Sequence, residues 1–278
     1  MTDVTIIIIS YKSEKIIYDF IKKIPSNIKT IIIENSKNKK LKKYIEEDFN
    51  NISCYINENN GVSSSLNFAV NKVDTKYFLQ ISPDIDFNFK DLNIFENFAK
   101  DKDDEFAALG PRFLNVNKKS HKQIDQNLEY DVIDSIHGSC MFINKKKFEE
   151  IGRFDENFFL YFEETEYCFR AKKKGFFSYQ INKIIVNSTG RSVEIDSTDK
   201  AAFDNILIWH FIWSKFYFSK KKYGSILSII IFIPVLIRIL VKLVYYVLIG
   251  KRIFSEKYRY RLRGLLNSMM GKNSNLRP

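Results

Sequence analysis

Short apolar runs alternate with amphipathic stretches along the first part of the chain. Continuous runs rich in β-branched side chains are typical of strands buried on both faces of a parallel sheet, whereas apolar residues at helical spacing predict helices. This alternation indicates βαβ units with right-handed crossovers, and therefore a mostly parallel α/β sheet with flanking helices. Strands are predicted at residues 5–10, 30–33, 52–56 and 77–82, with helices up to residue 20 and at residues 40–49 and 62–73.

Polar residues lie at the carboxyl ends of these four predicted strands. Ser10 ends the first strand, Glu34 follows the second, Asn60 comes after the third and Asp84 after the fourth. In a parallel α/β sheet, ligands bind beyond the carboxyl ends of the strands. Four such coincidences favour a nucleotide-binding site over four ordinary loops.

The following part of the chain is less regular. Residues 115–130 are polar, and we expect them to form a mobile loop over the site. Around this loop, a helix is predicted at residues 92–99 and strands at residues 106–113, 176–179 and 184–186.

A dense group of carboxylates lies in residues 152–175, GRFDENFFLYFEETEYCFRAKKKG, where Glu163, Glu164 and Glu166 follow a run of aromatic residues. Carboxylates that crowd together and lose water have raised pKa values, and such a carboxylate is suited to act as a base. The alternative is a helix that begins with acidic residues, pairs Glu166 with Arg170 at i, i+4 and ends at a glycine cap. The spacing alone leaves both interpretations open.

The chain changes character after residue 205. Residues 206–223 are rich in aromatic side chains and end in a lysine cluster, and residues 225–249 are mostly aliphatic. Arg238 and Lys242 interrupt the aliphatic run four residues apart, on one helical face. Because two cations near the middle of a membrane span are costly, we expect an interfacial helix with its apolar face in the membrane. A single-pass span and a soluble core helix remain as alternatives.

Charge is distributed unevenly along the chain. Residues 206–278 contain 14 of the 44 Lys and Arg but only one of the 33 acidic residues, so this tail carries +13 and the remainder −2. The predicted sheet region is therefore not expected to bind nucleic acid, whereas the tail is expected to bind anionic lipids. The cysteines, Cys54, Cys140 and Cys168, lie far apart, which favours buried thiols in a reducing compartment.

Residues 152–175 are similar to the segment GxFDExFFLYxEDxDLCLRxxxxG of glycosyltransferase family 2, in its rhamnosyltransferase-like branch. The resemblance implies a GT-A-like fold, and it implies that Glu164 is the catalytic base, with Glu163 beside it. Glu stands at positions 164 and 166 where the family segment has Asp, so each of these side chains is longer by one methylene.

Motifs of the same family map onto the strand ends. Glu34-Asn35-Ser36 resembles the family's Asp-Asn-Ser, whose acidic residue holds the nucleoside, and Ser82-Pro83-Asp84 resembles Asn-Pro-Asp, a variant of the cation-binding Asp-x-Asp motif. The resemblance thus implies Mg²⁺ or Mn²⁺ at Asp84, with Asp86 as a second candidate ligand, whereas the alternative for Asp84 is a Pro-Asp turn. The candidate nucleotide-sugar-binding residues are Ser10, Tyr11, Glu34, Asn60, Gly61, Asn67 and Ser82.

The acceptor side carries a looser set of candidates. The segment at residues 137–142 resembles the family's Gly-Ala/Ser-x-Met strand, and Asn187 stands where the family usually has His, a stronger metal ligand. Arg191 either offers charge to a diphosphate or is an ordinary loop residue. The candidates for contact with acceptor or phosphate are His137, Gly138, Glu166, Asn187 and Arg191.

The residues and the resemblance together predict an inverting glycosyltransferase of cell-surface polysaccharide synthesis. It would move a sugar, rhamnose according to the branch resembled, from a nucleotide-sugar donor to a saccharide or lipid-linked acceptor at the cytoplasmic face of the membrane. Residues 1–205 would form the transferase domain, with halves at about 1–100 and 101–205, and residues 206–278 the helical membrane-associating tail. The alternatives are a nucleotidyltransferase and a degenerate, non-catalytic membrane-binding module.

Overall fold

The computed structural model describes residues 3–114, 128–190, 193–196 and 199–278. Most of the loop predicted at residues 115–130, and Arg191, therefore lie outside the described residues. The chain divides into two compact units. The first comprises Met1–Asn60, Ser64–Phe154 and Glu164–Glu194, and the second comprises Gly61–Ser63, Asp155–Glu163 and Ile195–Pro278.

A single mixed sheet runs through the described part of the first unit. Its strands follow the order β3-β2-β1-β4-β8-β6-β9-β5, with β7 paired to β9. Strands β1 to β4 pair in parallel, as predicted, whereas β8 is antiparallel to both β4 and β6. The strands are β1 Val4–Ser10, β2 Thr30–Glu34, β3 Ile52–Ile56, β4 Tyr77–Ile81, β5 Ile85–Asp86, β6 Ala108–Phe113, β7 Tyr130–Ile133, β8 Cys140–Asn144 and β9 Ser178–Ser188.

The helices that alternate with these strands begin and end where local chemistry favours it. The side chain of Asn38 accepts a hydrogen bond from Leu41 N at 2.9 Å and so caps α2. The predicted glycine end-cap of α6 is present, because Gly175 adopts a φ of +90° and Phe176 N donates to Ala171 O. These helices are α1 Glu14–Ile21, α2 Lys39–Asp48, α3 Val62–Val70, α4 Leu92–Asp101, α5 Lys145–Ile151 and α6 Glu163–Lys173.

One strand prediction was wrong in detail, because residues 176–179 and 184–186 do not form two strands but belong largely to the continuous strand β9. The polar residue Asn182 interrupts the apolar pattern, yet its side chain is buried. It donates to Leu128 O at 2.9 Å and to the Asp131 carboxylate at 2.8 Å. Leu128 precedes β7 and Asp131 belongs to it. The pairing of β9 with this part of the chain therefore satisfies the polar side chain, and β9 continues through Asn182.

The core of the first unit consists of the apolar faces predicted from the pattern. Ile6, Ile8 and Ile32 of the parallel strands are fully buried, and so are Phe95 of α4 and Phe142 of β8. The three cysteines are free thiols and buried, as predicted. Packing of this kind positions the polar strand ends described below.

The second unit is built on three helices, α7 Lys200–Tyr223, α8 Ser225–Leu248 and α9 Arg252–Met269. Helix α9 packs closely on α7, since a Cβ added at Gly264 would lie 2.6 Å from Trp209 O. Phe216, Phe232 and Leu265 lie in the apolar core between these helices.

Helix α8 is the one helix among the described residues that is long and apolar enough to cross a membrane, by length and composition alone. Only 17% of its most apolar window is buried, and Ile226 is 79% exposed. Arg238 and Lys242 are also exposed. An aliphatic surface of this extent on an otherwise packed helical unit needs a cover that the described residues do not supply.

Candidate functional site

The candidate base, Glu164, lies at the start of α6 in the first unit. Its Oε1 accepts a hydrogen bond from Thr165 Oγ1 at 3.2 Å, and Thr165 Oγ1 is itself 3.3 Å from Ser135 Oγ. The other carboxylate oxygen, Oε2, is buried and has no hydrogen-bond partner among the described residues. Burial raises the pKa of Glu164 above its ordinary value, and the hydrogen bonds from the backbone and Thr165 only partly oppose this effect.

A tight turn at His137, Gly138 and Ser139 faces this carboxylate. A Cβ added at Gly138 would lie 3.5 Å from Glu164 Cδ and 3.6 Å from Oε2, so the glycine leaves space beside the unpaired oxygen. His137 is exposed, and its Nδ1 lies 2.6 Å from Ser139 Oγ. Ser139 O accepts a hydrogen bond from Ser82 N at 2.9 Å, which joins the turn to the end of β4. Sequence reasoning missed Ser139 and Thr165.

The end of β4 places Asp84 beside the end of β9. Asp84 is buried, and its Oδ2 accepts a hydrogen bond from Ser188 Oγ at 2.7 Å. Its main-chain oxygen accepts from Thr189 N at 2.8 Å. Asp86 and Asn187, which are both exposed, are partners in the short antiparallel pairing of β5 with β9. The structure therefore brings together three of the residues predicted for the cation or phosphate, and it adds Ser188.

The side chains available as metal ligands determine which kind of cation site is chemically reasonable. The part of the chain that the structure describes has no group of three or more His, Cys, Asp or Glu side chains that could hold a metal ion. A hard cation such as Mg²⁺ is usually bound beside substrate phosphates by one or two carboxylates, with water and phosphate oxygens completing the shell. Asp84 fits that shared arrangement and does not fit a cation held by protein alone.

The predicted nucleoside residues lie at the ends of β1 and β2. Ser10 is fully buried, with Oγ 3.2 Å from Ser13 Oγ, and Ser10 O accepts from Asn35 N at 2.9 Å. Both Glu34 carboxylate oxygens accept hydrogen bonds within their own loop, from Ser36 and from Asn38 N. The Glu34 carboxylate therefore stabilises the loop to which a nucleoside would bind.

Tyr11 is half-buried beside Ser10, Asn60 is exposed after β3, and Ser82 is half-buried after β4. Gly61 and Glu163 belong to the second unit. Gly61 adopts a φ of +99°, and a Cβ there would lie 2.5 Å from Phe159 O, so only glycine fits this position. Glu163 is buried.

Asn67 and Glu166 have buried side chains with structural partners. The Asn67 amide donates to Phe154 O at 2.9 Å and accepts from Phe154 N at 3.2 Å, which ties α3 to the chain segment before residue 155. Glu166 is fully buried, and both its oxygens accept from Arg170 Nε, at 2.8 and 2.9 Å. The predicted i, i+4 pair is present, and its burial favours a structural role for Glu166 over contact with an acceptor.

Arg170 extends this pair into a clamp. Its guanidinium donates to Ile151 O, Gly152 O and Arg153 O, at distances between 2.6 and 3.0 Å. A planar group with five donors is well suited to bridging a carboxylate and several carbonyls. The helix that carries Glu164 is thereby fastened to the chain segment before it.

The family model described as Glycosyl transferase family 2 matches residues 5–152, which is more than half of the chain. The chain belongs to glycosyl transferase family 2. The Gly152–Gly175 segment begins at the last matched residue and otherwise lies outside the matched range, so two different parts of the chain point to the same family.

A curated relative of this family 2 member is the low-salt glycan biosynthesis hexosyltransferase Agl10 of Haloferax volcanii. The two are 26% identical over 197 residues, which cover 63% of this chain and 63% of the relative. The chain thus spans a little under two thirds of the length of that relative.

Similar solved structures extend further along the chain but at low identity. S. aureus TarS 1-349 in complex with UDP-GlcNAc covers 97% of this chain and 92% of its own, with 14% identity and a TM-score of 0.56. GalNAc-T7 with UDP, GalNAc and Mn²⁺ covers 79% of this chain and 50% of its own, with 13% identity and a TM-score of 0.53. These similarities confirm the predicted GT-A-like α/β fold.

Proposed function

We propose that this family 2 protein is an inverting glycosyltransferase that moves a sugar from a nucleotide-sugar donor to a saccharide or lipid-linked acceptor. The observation that carries the proposal is the Glu164 carboxylate, with one oxygen buried, unpaired and facing Gly138. A buried carboxylate oxygen without a partner costs stability, and such sites persist where catalysis needs a base. The acceptor's role in cell-surface polysaccharide synthesis, and rhamnose as the sugar, follow from the resemblance.

The proposed step is a single displacement at the anomeric carbon. Glu164 Oε2 takes the proton of an acceptor hydroxyl, the acceptor oxygen forms a bond to the anomeric carbon, and the bond from that carbon to the diphosphate oxygen breaks. The electron pair leaves with the nucleoside diphosphate, and the configuration inverts. A base with a raised pKa suits this proton transfer near neutral pH, because its pKa is closer to the operating pH.

The charge that develops on the leaving diphosphate needs compensation. We propose that Asp84 would hold a divalent cation, Mg²⁺ or Mn²⁺, which when bound would stabilise this negative charge. The relative with bound UDP and Mn²⁺ supports the class of cofactor. Within the chain itself, Ser188 Oγ orients the Asp84 carboxylate through its hydrogen bond.

We assign the donor to the carboxyl ends of β1 to β4. Ser10, Tyr11, Glu34, Asn60, Gly61 and Ser82 remain the proposed donor residues, and the relative in complex with UDP-GlcNAc supports a nucleotide sugar as the donor class. Asn67 would act indirectly, since its amide is occupied by Phe154. His137 and Gly138 are the proposed acceptor residues.

We further propose that residues 1–205 carry out the transfer and that residues 206–278 associate with the membrane. The exposed aliphatic surface of α8 and the +13 charge of the tail support peripheral binding to an anionic, cytoplasmic membrane face. A single-pass span of α8 is the competing topology.

The test is a panel of nucleotide sugars scored by thermal shift with Mn²⁺, followed by hydrolysis and transfer assays with the donor that binds. A donor at a hundred times its Kd stabilises by about 2.7 kcal/mol, which is readily detected. Asp84→Asn should lose the Mn²⁺-dependent stabilisation, whereas Glu164→Gln should keep it. If no nucleotide sugar stabilises or is turned over by the wild-type chain, the proposal is wrong and a non-catalytic membrane-binding module becomes the better explanation.

A further inference from the structure

The nine residues before Glu164 carry a strained turn. Tyr161 and Phe162 have φ values of +68° and +70°, in the left-handed region that bulky side chains rarely adopt. Two consecutive residues of this kind persist only where the surroundings hold them in place. The turn leads directly into Glu163 and Glu164 along the chain, so whatever holds it also fixes the start of α6.

Helix α7 holds this turn through its aromatic side chains, all within the second unit. The ring of Phe211 lies 5.6 Å from that of Tyr161 and 5.5 Å from that of Phe162, and the Phe218 ring lies 5.9 Å from that of Phe162. Contacts at these distances contribute stabilisation beyond apolar burial. Both strained residues therefore have aromatic partners on α7.

A second face of α7 holds the main chain of residues 155–160. Ser214 Oγ donates to Leu160 O at 2.8 Å, immediately before the strained pair. The buried His210 ring stacks on Phe159 at 4.5 Å. Positions 210, 214, 217 and 221 are spaced by four, three and four residues and so form one stripe along the helix.

The end of this stripe forms an ion pair with the first residue of the segment. Lys221 Nζ lies 2.6 Å from Asp155 Oδ2, with side-chain exposures of 29% and 15%, and Tyr217 OH donates to the same oxygen at 3.1 Å. Burial alone would raise the pKa of Asp155, but the hydrogen bonds from Lys221 and Asn157 lower it below the ordinary value. The Asp155 carboxylate is therefore charged near neutral pH, and at 15% exposure it is largely shielded from water.

We propose that α7 holds the strained turn in place and thereby positions the catalytic base, with Ser214 and Lys221 as positioning residues. The inference rests on the proposed function, in which Glu164 is that base. It means that the tail contributes to transfer as well as to membrane association, although the sequence pattern separates the two.

The test uses the full chain and matched substitutions. Lys221→Gln is compared with Lys220→Gln, which removes the same charge from the neighbouring position, and Lys221→Arg should restore the ion pair. Ser214→Ala is compared with Ser219→Ala, because Ser219 lies in the same helix but bonds Ser228 instead of the segment. Hydrogen exchange of the amides of residues 158–163 is measured in each variant, together with the melting temperature.

We expect Lys221→Gln and Ser214→Ala to speed exchange of these amides by roughly tenfold, because each removes a largely buried hydrogen bond of the segment. In the transfer assay, kcat should fall by about tenfold while the donor KM stays unchanged, the pattern of a lost transition-state arrangement. The control variants and Lys221→Arg should match the wild type in both measurements. If Ser214 and Lys221 only stabilise the fold, their substitution should lower the melting temperature and leave kcat unchanged.

Unchanged amide exchange in Lys221→Gln and Ser214→Ala would overturn the proposal, and so would faster exchange with unchanged kcat. Equal effects of Lys220→Gln and Lys221→Gln would also overturn it, since the effect would then be one of net charge. A wild-type chain without any transferase activity would refute the proposed function. In that case the exchange measurement still decides whether α7 holds the turn.

Discussion

Replacing the candidate base by its amide is expected to stabilise the protein and to abolish transfer. Glu164→Gln keeps the shape of the side chain and removes the charge that burial disfavours. A neutral buried acceptor left without a partner costs about 1–3 kcal/mol and a charged one costs more, so the amide, which is also unpaired, removes the additional cost of the charge. We therefore expect Glu164→Gln to raise the free energy of unfolding at pH 7 by at least about 1 kcal/mol, or roughly 2–4 °C in melting temperature.

The direction of the Glu164 pKa shift determines how the stability gained in Glu164→Gln should change with pH. Because the pKa of Glu164 is raised in the folded state from its ordinary value of 4.5, the folded chain binds this proton more tightly than the unfolded chain. The wild type therefore has its full stability below that value and loses stability as the pH rises through the raised pKa. The advantage of Glu164→Gln should be absent in acid, grow above pH 4.5 and then level off.

The assay combines melting curves over a range of pH with initial rates of transfer. Loss of a general base usually costs a hundredfold or more in rate, and donor binding should be unaffected. Glu163→Gln is the matched control at the neighbouring position. If Glu164→Gln is no more stable than the wild type at any pH and keeps near-native turnover, the reasoning is refuted, and loss of turnover in Glu163→Gln would move the base by one residue.

Three further predictions concern the cation, the clamp and the tail. Asp84→Asn should weaken Mn²⁺-dependent donor binding about tenfold or more with little effect on folding, and turnover that survives excess EDTA would contradict the cation's role. Arg170→Lys should lower the free energy of unfolding by about 2 kcal/mol in urea titrations, because an ammonium cannot bridge the carboxylate and three carbonyls, and a loss below about 0.5 kcal/mol would contradict the clamp. Ile230→Glu with Ile237→Glu on the exposed face of α8 should reduce sedimentation with phosphatidylglycerol liposomes, whereas Ile185→Glu, an equally exposed isoleucine of the sheet, should not. Liposome binding that is unchanged in the double variant would place the membrane contact elsewhere, and retention after alkaline carbonate would favour a span.

Much of the fold follows from local pattern. The parallel strands β1 to β4, the helices between them and the glycine end of α6 were all predicted, because apolar spacing and capping chemistry report on neighbours within a few positions. The pair of Glu166 with Arg170 was predicted for the same reason, since residues four apart share a helical face. The family, too, was visible in contiguous motifs.

The tertiary structure alone decided which of these residues meet. Asn67 bonds Phe154, which lies 87 positions away, and so its amide holds the chain where the motif implied a ligand contact. Asn182 keeps β9 continuous because its polar side chain finds partners more than fifty positions earlier. Local periodicity carries no information about such pairings.

The same distinction applies to the site and the tail. The run of aromatics and acids left a catalytic base and an ordinary acidic helix start both open, and only the fold leaves Oε2 of Glu164 buried, unpaired and opposite a glycine. Composition separated a basic, apolar tail from an acidic sheet region, yet the contact of Ser214 with Leu160 joins residues 54 positions apart. Sequence spacing determines which side chains can share an element, whereas burial and the satisfaction of polar groups across the folded chain determine which partners they find.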